Sequence, residues 1–295
     1  MPRVFPDSAK HAAVARKPGP PTAAERAGEA RLITAARKGD RAALTRILEL
    51  ASGPASRFSR SFCRDPHDAE DLTQEVLATL LRSLKSFRGE SSLSTWTYVV
   101  ARRACGRLRK RGARMEAIAP DDRTMLTTPD PSAGPARRFE RRQLGEALER
   151  AVASLPMPQR EVLVLRDVEG LSAAEVGAVL GLGERAVKSR LHRARLALRA
   201  SLAPFVGSPD VPPPGPRCPD TMLMLSRSIE GELSPGVCAR MEEHVRRCQS
   251  CGDACHSLRE VLGACRAHGR SALPPEVRRA VRSAVREALA RPRNS

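Results

Sequence analysis

The fold is decided by the stretch LSAAEVGAVLGLGERAVKSRLHRAR, residues 171–195. Ser172 and Glu175 form a capping box, in which the two side chains satisfy the free amides at the start of a helix. Gly181 and Gly183 supply a tight turn, after which a second helix is predicted to begin near Glu184. Two short helices joined by a glycine-bearing turn are typical of a helix-turn-helix.

The second of these helices has two different faces. Its apolar residues recur at steps of four, three and four, which predicts that they pack inward: Val187, Leu191, Ala194 and Leu198. Polar residues lie on the opposite side, with Arg199 also flanking them: Arg185, Lys188, Ser189, His192 and Arg193. A recognition helix presents such a face to the major groove. A solvated basic face on a bundle helix would look similar, but the capping box and the turn favour DNA recognition.

The composition indicates a polyanionic partner and an all-α fold. The 295 residues include 51 Lys and Arg against 33 Asp and Glu, a formal net charge of +18, and nucleic acid is the default partner for such an excess. Aromatic residues are only 3%, so the cores must consist of Ala, Leu and Val, which suits close-packed helices. No glycine-rich phosphate loop or nucleophile–base motif is present, and we expect no enzymatic activity.

The chain is predicted to contain several helical units separated by proline-rich segments. Residues 1–28 are expected to be a disordered tail without a signal peptide, and no apolar run is long enough to span a membrane. We therefore expect a cytoplasmic protein with no membrane partner. The predicted domains are helical at 29–111 and 136–203, with flexible linkers at 112–135 and 204–217, a small helical metal-binding domain at 218–266, and a basic tail with a helix at 267–295.

The first helical block contains an amphipathic helix that opens with DAEDLTQEV, residues 68–76. Its predicted apolar side is formed by Leu72, Val76, Leu80, Leu84 and Phe87. Asp68, Asp71 and Glu75 form an acidic stripe. Acidic residues near a helix start suit the helix dipole, and the stripe could equally be a docking face for a basic helix.

A small-residue loop and a basic helix follow in FRGESSLSTWTYVVARR, residues 87–103. The helix continues into a run of arginines that includes Arg102 and Arg103. Such a helix could hold one DNA strand while the loop captures an extruded base, because phosphate contacts and a base pocket offset the cost of unstacking.

Six of the eight cysteines lie in the last third of the chain. HVRRCQSC, residues 244–251, is a His-x3-Cys-x2-Cys motif, in which a helix would place His244 and Cys248 on one face and Cys251 at its end. Cys218 could complete a tetrahedral zinc site. The three extra thiols could add a soft-metal site for Cu(I), Zn or Cd, or form a redox switch: Cys238, Cys255 and Cys265.

The motifs of the two helical blocks resemble the extracytoplasmic-function (ECF) group of the sigma-70 family of RNA polymerase sigma factors. In the second block the resemblance is carried by LPMPQREV (155–162), GLS (170–172) and VKSRLHRAR (187–195). It implies a domain that reads the promoter element about 35 base pairs upstream of the start. The residues carried over to this role are Arg185, Lys188, Ser189, His192 and Arg193.

In the first block DAEDLTQEV and the segment at 87–103 resemble the N-terminal sigma domain. This implies a face that binds the polymerase clamp: Asp68, Asp71, Gln74 and Glu75. It also implies a loop that reads the element about ten base pairs upstream, formed by Gly89, Glu90, Ser91 and Ser92. Arg102 and Arg103 would support the DNA backbone.

The cysteine-rich segment resembles the zinc-binding anti-sigma domain, including IEGELS at 229–234, and the fusion resembles CorE-type sigma factors. The resemblance implies a sigma factor that brings core RNA polymerase to promoter DNA and is regulated by a metal, zinc first and copper or cadmium as further candidates. The alternative is a stand-alone helix-turn-helix regulator with a structural or redox-sensing zinc site.

Overall fold

A computed structural model describes residues 23–63, 65–87, 89, 91–110, 135–206 and 212–270, together with 278, 279, 282, 283 and 286. Within these ranges the chain is helical and has no strand, in agreement with the predicted all-α fold. None of the helices described there is long and apolar enough to cross a membrane. Residues 112–134 of the predicted linker and most of the basic tail fall outside the described residues, as do residues 1–22 of the predicted N-terminal tail, whereas Pro135 already belongs to a helix.

The N-terminal unit is a bundle of four helices: α1 (Ala23–Arg37), α2 (Arg41–Phe62), α3 (Pro66–Ser83) and α4 (Leu93–Lys110). The helix α1 begins within the predicted disordered tail. Its Ile33 and Ala36 are buried against α2, and this packing holds the helix on the bundle. The predicted apolar side of α3 is buried, as expected from its spacing. Tyr98 of α4 and Phe58 of α2 lie in the same core, which brings α4 against α2.

The middle unit contains the predicted helix-turn-helix. Its helices are α5 (Pro135–Ser154), α6 (Met157–Leu163), α7 (Ala173–Leu180), α8 (Glu184–Ser201) and the single turn α9 (Ala203–Val206), and α6 continues as a π-helical turn at Val164–Val168. The capping box of Ser172 and Glu175 is present at the start of α7. Gly181 ends α7 with φ 69°, and a Cβ on Gly177 would lie 2.5 Å from the carbonyl oxygen of Leu182. Both glycines are therefore needed for the tight turn.

The C-terminal unit is built from α10 (Thr221–Ile229), α11 (Pro235–Arg247) and α12 (Gln249–Arg270). Its own core is small and contains Leu225, Met241, Cys255, Leu258 and Leu262. The other side of α12, with Val261 and Cys265, belongs to the core of α5 and α8. Because α12 serves two cores, the C-terminal unit is packed firmly onto the middle unit.

The N-terminal and middle units meet around Glu169. Arg57 of α2 donates two hydrogen bonds of 2.8 Å to its carboxylate, and the hydroxyl of Tyr98 donates a third. Burial alone lowers the pKa of Arg57, but the charge and hydrogen bonds of Glu169 outweigh it and hold that pKa above its usual value. The pair is therefore a charged contact between the two units in which Glu169 is buried and Arg57 is partly exposed.

Replacing Arg57 by Ala should loosen this contact, because it leaves the carboxylate of Glu169 buried without its cation. We expect the contact to weaken by about 2 kcal/mol, a shift of roughly thirtyfold toward separated units. Small-angle X-ray scattering of the variant should give a larger radius of gyration. Arg46→Ala is the matched control on α2, because its pair with Glu49 is exposed and should contribute little. Equal radii for Arg57→Ala and the native chain would contradict the prediction.

Candidate nucleic-acid interface and metal centre

The helix α8 has the inward and outward faces that its sequence predicts. Val187, Leu191, Ala194 and Leu198 are buried. Of the predicted base-reading residues on the other side, Arg185, Ser189 and Arg193 are exposed, whereas Lys188 and His192 are half-buried. The burial of these last two side chains shows that another part of the chain lies close to the reading face.

The part of the chain that covers the reading face is the C-terminal unit. Glu232, in the loop after α10, lies 2.9 Å from Nζ of Lys188. This contact, followed by the more distant Glu184, raises the pKa of Lys188 above its usual value. A cleft of about 670 Å³ separates α8 from α10 and its loop, and its walls include Arg185, Ser189, His192, Leu223 and Arg227.

Beneath this cleft lies a buried network of charges that the sequence analysis did not single out. Arg195 of α8 is 0% exposed and donates hydrogen bonds of 2.8 and 2.7 Å to Asp167 of the π turn. It also donates to Glu230 of the C-terminal unit at 2.8 Å and to the hydroxyl of Ser226 at 2.9 Å. Arg166 completes the network with two hydrogen bonds of 2.9 and 2.8 Å to the second oxygen of Glu230.

The ionisation of this network follows from its geometry. Burial alone lowers the pKa of Arg195, but the carboxylates of Asp167 and Glu230 hold it above its usual value. Arg166 and Arg195 carry two positive charges, and Asp167 and Glu230 carry two negative charges. Glu230, the second carboxylate of the network, comes from the C-terminal unit, and Arg266 of α12 in the same unit also interacts electrostatically with Asp167.

The loop predicted to read the element about ten base pairs upstream of the start is anchored at the beginning of α4. Gly89 has φ 77°, a left-handed conformation that favours glycine. The hydroxyl of Ser92 accepts a hydrogen bond from the amide of Thr95, and the carboxylate of Glu29 accepts one from the amide of Leu93. Ser91 is exposed. Glu90 lies outside the described residues.

The two predicted backbone-supporting arginines have different surroundings. Arg103 is exposed, whereas Nε of Arg102 lies 3.2 Å from the carboxylate of Glu161 in α6. Thr95 is also paired across the units, with its hydroxyl 3.2 Å from the carboxylate of Glu175. The middle unit therefore lies against the side of α4 that is predicted to face DNA.

The predicted polymerase-binding face lies on α3. Asp71 and Gln74 are exposed and Asp68 is half-buried. Glu75 is paired with Arg107 of α4 at 3.0 Å and lies 3.9 Å from Arg82. The exposed negative charge of this face is therefore concentrated at Asp71.

The structure brings four of the predicted ligands together, namely Cys218, His244, Cys248 and Cys251, and their donor atoms all lie within 4.8 Å of one another. The sulfur atoms of Cys218 and Cys248 are 3.7 Å apart, and Nε2 of His244 is 3.3 Å from the sulfur of Cys251. A tetrahedral zinc ion would place such atoms about 3.5 to 3.8 Å apart. Both the donor set and its spacing fit a tetrahedral metal ion.

The local structure around the ligands differs from the predicted one in one respect. Cys248 follows the last residue of α11, and Cys251 lies in the first turn of α12 instead of at the end of the helix that carries His244. Burial raises the pKa of Cys251 to about 12, whereas a hydrogen bond from the amide of Cys251 lowers that of Cys248. A metal ion must therefore displace the proton of Cys251.

The three extra cysteines lie outside this group. Cys238 of α11 has its sulfur 3.6 Å from the hydroxyl of Ser228. Cys255 and Cys265 are buried in two different cores, and burial raises the pKa of both thiols. Cys255 and Cys265 therefore pack as apolar residues, and in the described part of the chain the three thiols form no second cluster of ligands.

Comparison with known families agrees with this organisation. Residues 52–115 match the family model of sigma-70 region 2, residues 145–198 match sigma-70 region 4, and residues 218–252 match a zinc-finger family. The solved structure of CnrH in complex with the cytosolic domain of CnrY is 24% identical, with a TM-score of 0.45, and the match covers 60% of this chain and 97% of that one.

Several curated relatives are similar to the chain over 170 to 177 residues. The ECF RNA polymerase sigma factor SigE of Mycolicibacterium smegmatis is 38% identical over 170 residues, which is 56% of this chain and 65% of that protein. SigM of Mycobacterium tuberculosis is 31% identical over 58% of this chain and 82% of its own length. ShbA of Streptomyces griseus is 33% identical over 57% of this chain and 92% of its own length. Sigma-70 region 2 precedes region 4 in this chain, and region 4 contains the helix-turn-helix. Because SigM and ShbA are also more than 30% identical over most of their own length, the chain belongs to the ECF family of RNA polymerase sigma factors.

Proposed function

We propose that this protein directs core RNA polymerase to specific promoters, starts DNA-templated transcription, and is regulated by a metal bound to its C-terminal unit. The observation that carries the proposal is the order of the two units, a region 2 bundle followed by a region 4 helix-turn-helix. A stand-alone helix-turn-helix regulator would have no use for the region 2 bundle, so this alternative is not favoured.

In this proposal the exposed acidic face of α3 binds the polymerase clamp. Asp71 and Gln74 are accessible, and Asp68 flanks them. Charged faces of this kind steer association and fix the orientation of a partner. The ion pair between Glu75 of α3 and Arg107 of α4 links the two helices beside that face.

Two surfaces contact the promoter. The face of α8 with Arg185, Lys188, Ser189, His192 and Arg193 enters the major groove at the upstream element, where arginine and serine side chains reach base edges and phosphates. The loop formed by Gly89, Glu90, Ser91 and Ser92 captures a base of the downstream element, while Arg102 and Arg103 support the strand. Both surfaces are rich in arginine, which suits phosphate contacts.

The metal at Cys218, His244, Cys248 and Cys251 is zinc in this proposal, because three thiolates and one imidazole at tetrahedral spacing form a closed structural zinc site. Cu(I) and Cd also prefer thiolates, so they are competing regulators. The core of the C-terminal unit is small, so the free energy of metal binding, on the order of 10 kcal/mol, would be a large part of its folding free energy.

Charge reversal at Asp71 should impair polymerase binding. We expect Asp71→Arg to weaken the affinity for core polymerase about tenfold. The substitution replaces an exposed negative charge with a positive charge, which would repel a basic surface on the polymerase. Binding is measured by fluorescence anisotropy of labelled protein, and function is measured as run-off transcripts from reconstituted reactions with core polymerase and a promoter library.

Glu49→Arg provides the control, because Glu49 is an exposed acid on the neighbouring helix α2. It should leave both measurements unchanged. A native chain that never associates with core polymerase and yields no transcript would rule out the proposed function.

Removing a ligand should remove the metal. We expect Cys251→Ser to lose the bound zinc, measured as zinc per chain by atomic emission after dialysis, and to change the response of transcription to added Zn, Cu and Cd. Cys238→Ser is the matched control, because Cys238 lies in the same unit but outside the group of ligands. Metal regulation would be excluded if transcription responded identically to all three metals in both variants and the native chain.

A further inference from the structure

We propose that the first helix, α1, holds in place the segment that reads the element about ten base pairs upstream, and that Glu29 of α1 is a positioning residue for base recognition. The reading segment is residues 84–93, which include the predicted loop. The inference rests on the proposed function, because it assigns a role beside that loop. The match to sigma-70 region 2 begins at residue 52, so α1 lies outside it.

The helix α1 contacts the reading segment at both of its ends. At the first end, Nε of Arg37 donates a hydrogen bond of 3.2 Å to the carbonyl oxygen of Leu84. At the second end, the carboxylate of Glu29 accepts a hydrogen bond from the amide of Leu93, the first residue of α4. Residues 29 and 37 are about 12 Å apart along a helix. Because one helix holds both ends, it sets the distance that the loop must span.

Apolar packing joins α1 to the same two ends. Ile33 and Ala36 lie between the two polar contacts of α1 and are buried. Their core is shared with residues on either side of the loop, namely Leu84, Phe87 and Leu93. A displacement of α1 would therefore disturb the chain both before and after the loop.

Two aromatic rings meet across the reading segment. Phe87 stacks on Trp96 of α4, with the ring centroids 4.4 Å apart and the ring planes 25° apart. Stacked rings of this kind restrain each other in orientation. Trp96 is half-buried and is the single tryptophan of the chain. Its fluorescence therefore reports directly on the surroundings of the loop.

The amides at the start of α4 already have partners. The free amides of a helix start are a favourable site for a phosphate group. Here the carboxylate of Glu29 takes the amide of Leu93, and the hydroxyl of Ser92 takes the amide of Thr95 at 3.2 Å. Glu29 thus places a carboxylate where a phosphate of the DNA strand would otherwise bind. This leaves the phosphates to the arginines farther along α4 and favours contact of the loop with a base.

The test uses the full chain with core polymerase and two labelled single-stranded oligonucleotides. One carries the element that the native chain selects from a promoter library, and the other has the central bases of that element replaced. The ratio of the two affinities measures base discrimination. We expect Glu29→Ala to lower this ratio about fivefold, the effect of losing one helix cap, and to change the emission of Trp96 without DNA.

Two further variants separate positioning from folding. Glu29→Gln should keep most of the discrimination, because an amide oxygen can accept the same hydrogen bond. Arg37→Met removes the contact at the other end of α1 and should also lower the ratio, which decides the matter if Glu29→Ala loses helix content. Glu49→Ala is the matched control, because Glu49 is an exposed acid of the same bundle that pairs with Arg46. It should leave both the ratio and the emission of Trp96 unchanged.

The role of α1 is overturned if the folded Glu29→Ala and Arg37→Met variants discriminate between the oligonucleotides as well as the native chain does. A Glu29→Gln variant that discriminates as poorly as Glu29→Ala would also contradict it, since the hydrogen bond would then not be the cause. If instead the native chain with core polymerase selects no element and yields no transcript, the proposed function fails, and the role of α1 in reading falls with it.

Discussion

The arrangement of the middle and C-terminal units depends on the burial of Arg195. This side chain lies within the apolar face of the recognition helix and is 0% exposed, so its charge must be matched inside the protein. Asp167, presented by the π-helical turn after α6, supplies one carboxylate, and Glu230 of the C-terminal unit supplies the other. The charge requirement of one residue in the second helix of the helix-turn-helix thus decides where the C-terminal unit packs.

The contact between the N-terminal and middle units also depends on a buried charge that is matched by an opposite charge inside the protein. Glu169 is buried against Arg57 and Tyr98, and Arg102, a predicted DNA contact, is paired with Glu161. Promoter elements about 25 base pairs apart are separated by about 85 Å along the duplex, at about 3.4 Å per base pair. Two units in direct contact cannot read both elements, so promoter binding requires that the pair at Glu169 separate.

The candidate metal ligands and Glu230 belong to the same small C-terminal unit. Its own core contains five buried apolar residues, and the remaining stability must come from the metal and from packing on the middle unit. Because α12 carries Cys251 and packs against the buried side of α8, a change at Cys251 can reach α8 without a long pathway.

The sequence by itself determined the helix-turn-helix, the two faces of α8, the amphipathic helix α3 and the candidate metal motif at His244, Cys248 and Cys251, because each depends on spacing within one or two turns of helix or on a short motif. The anomaly of Arg195 was also present in the sequence, since it follows the buried Leu191 by four residues. Only the tertiary structure decided the partners of the charges: Glu230 for Arg195, Glu232 for Lys188 and Glu169 for Arg57. Arg195 and Glu230 are 35 residues apart in the sequence, and Arg57 and Glu169 are 112 residues apart. No local sequence pattern specifies which acidic residue pairs with which basic residue over such distances. The same holds for Cys255 and Cys265, whose places in two separate cores only the packing of α12 decided.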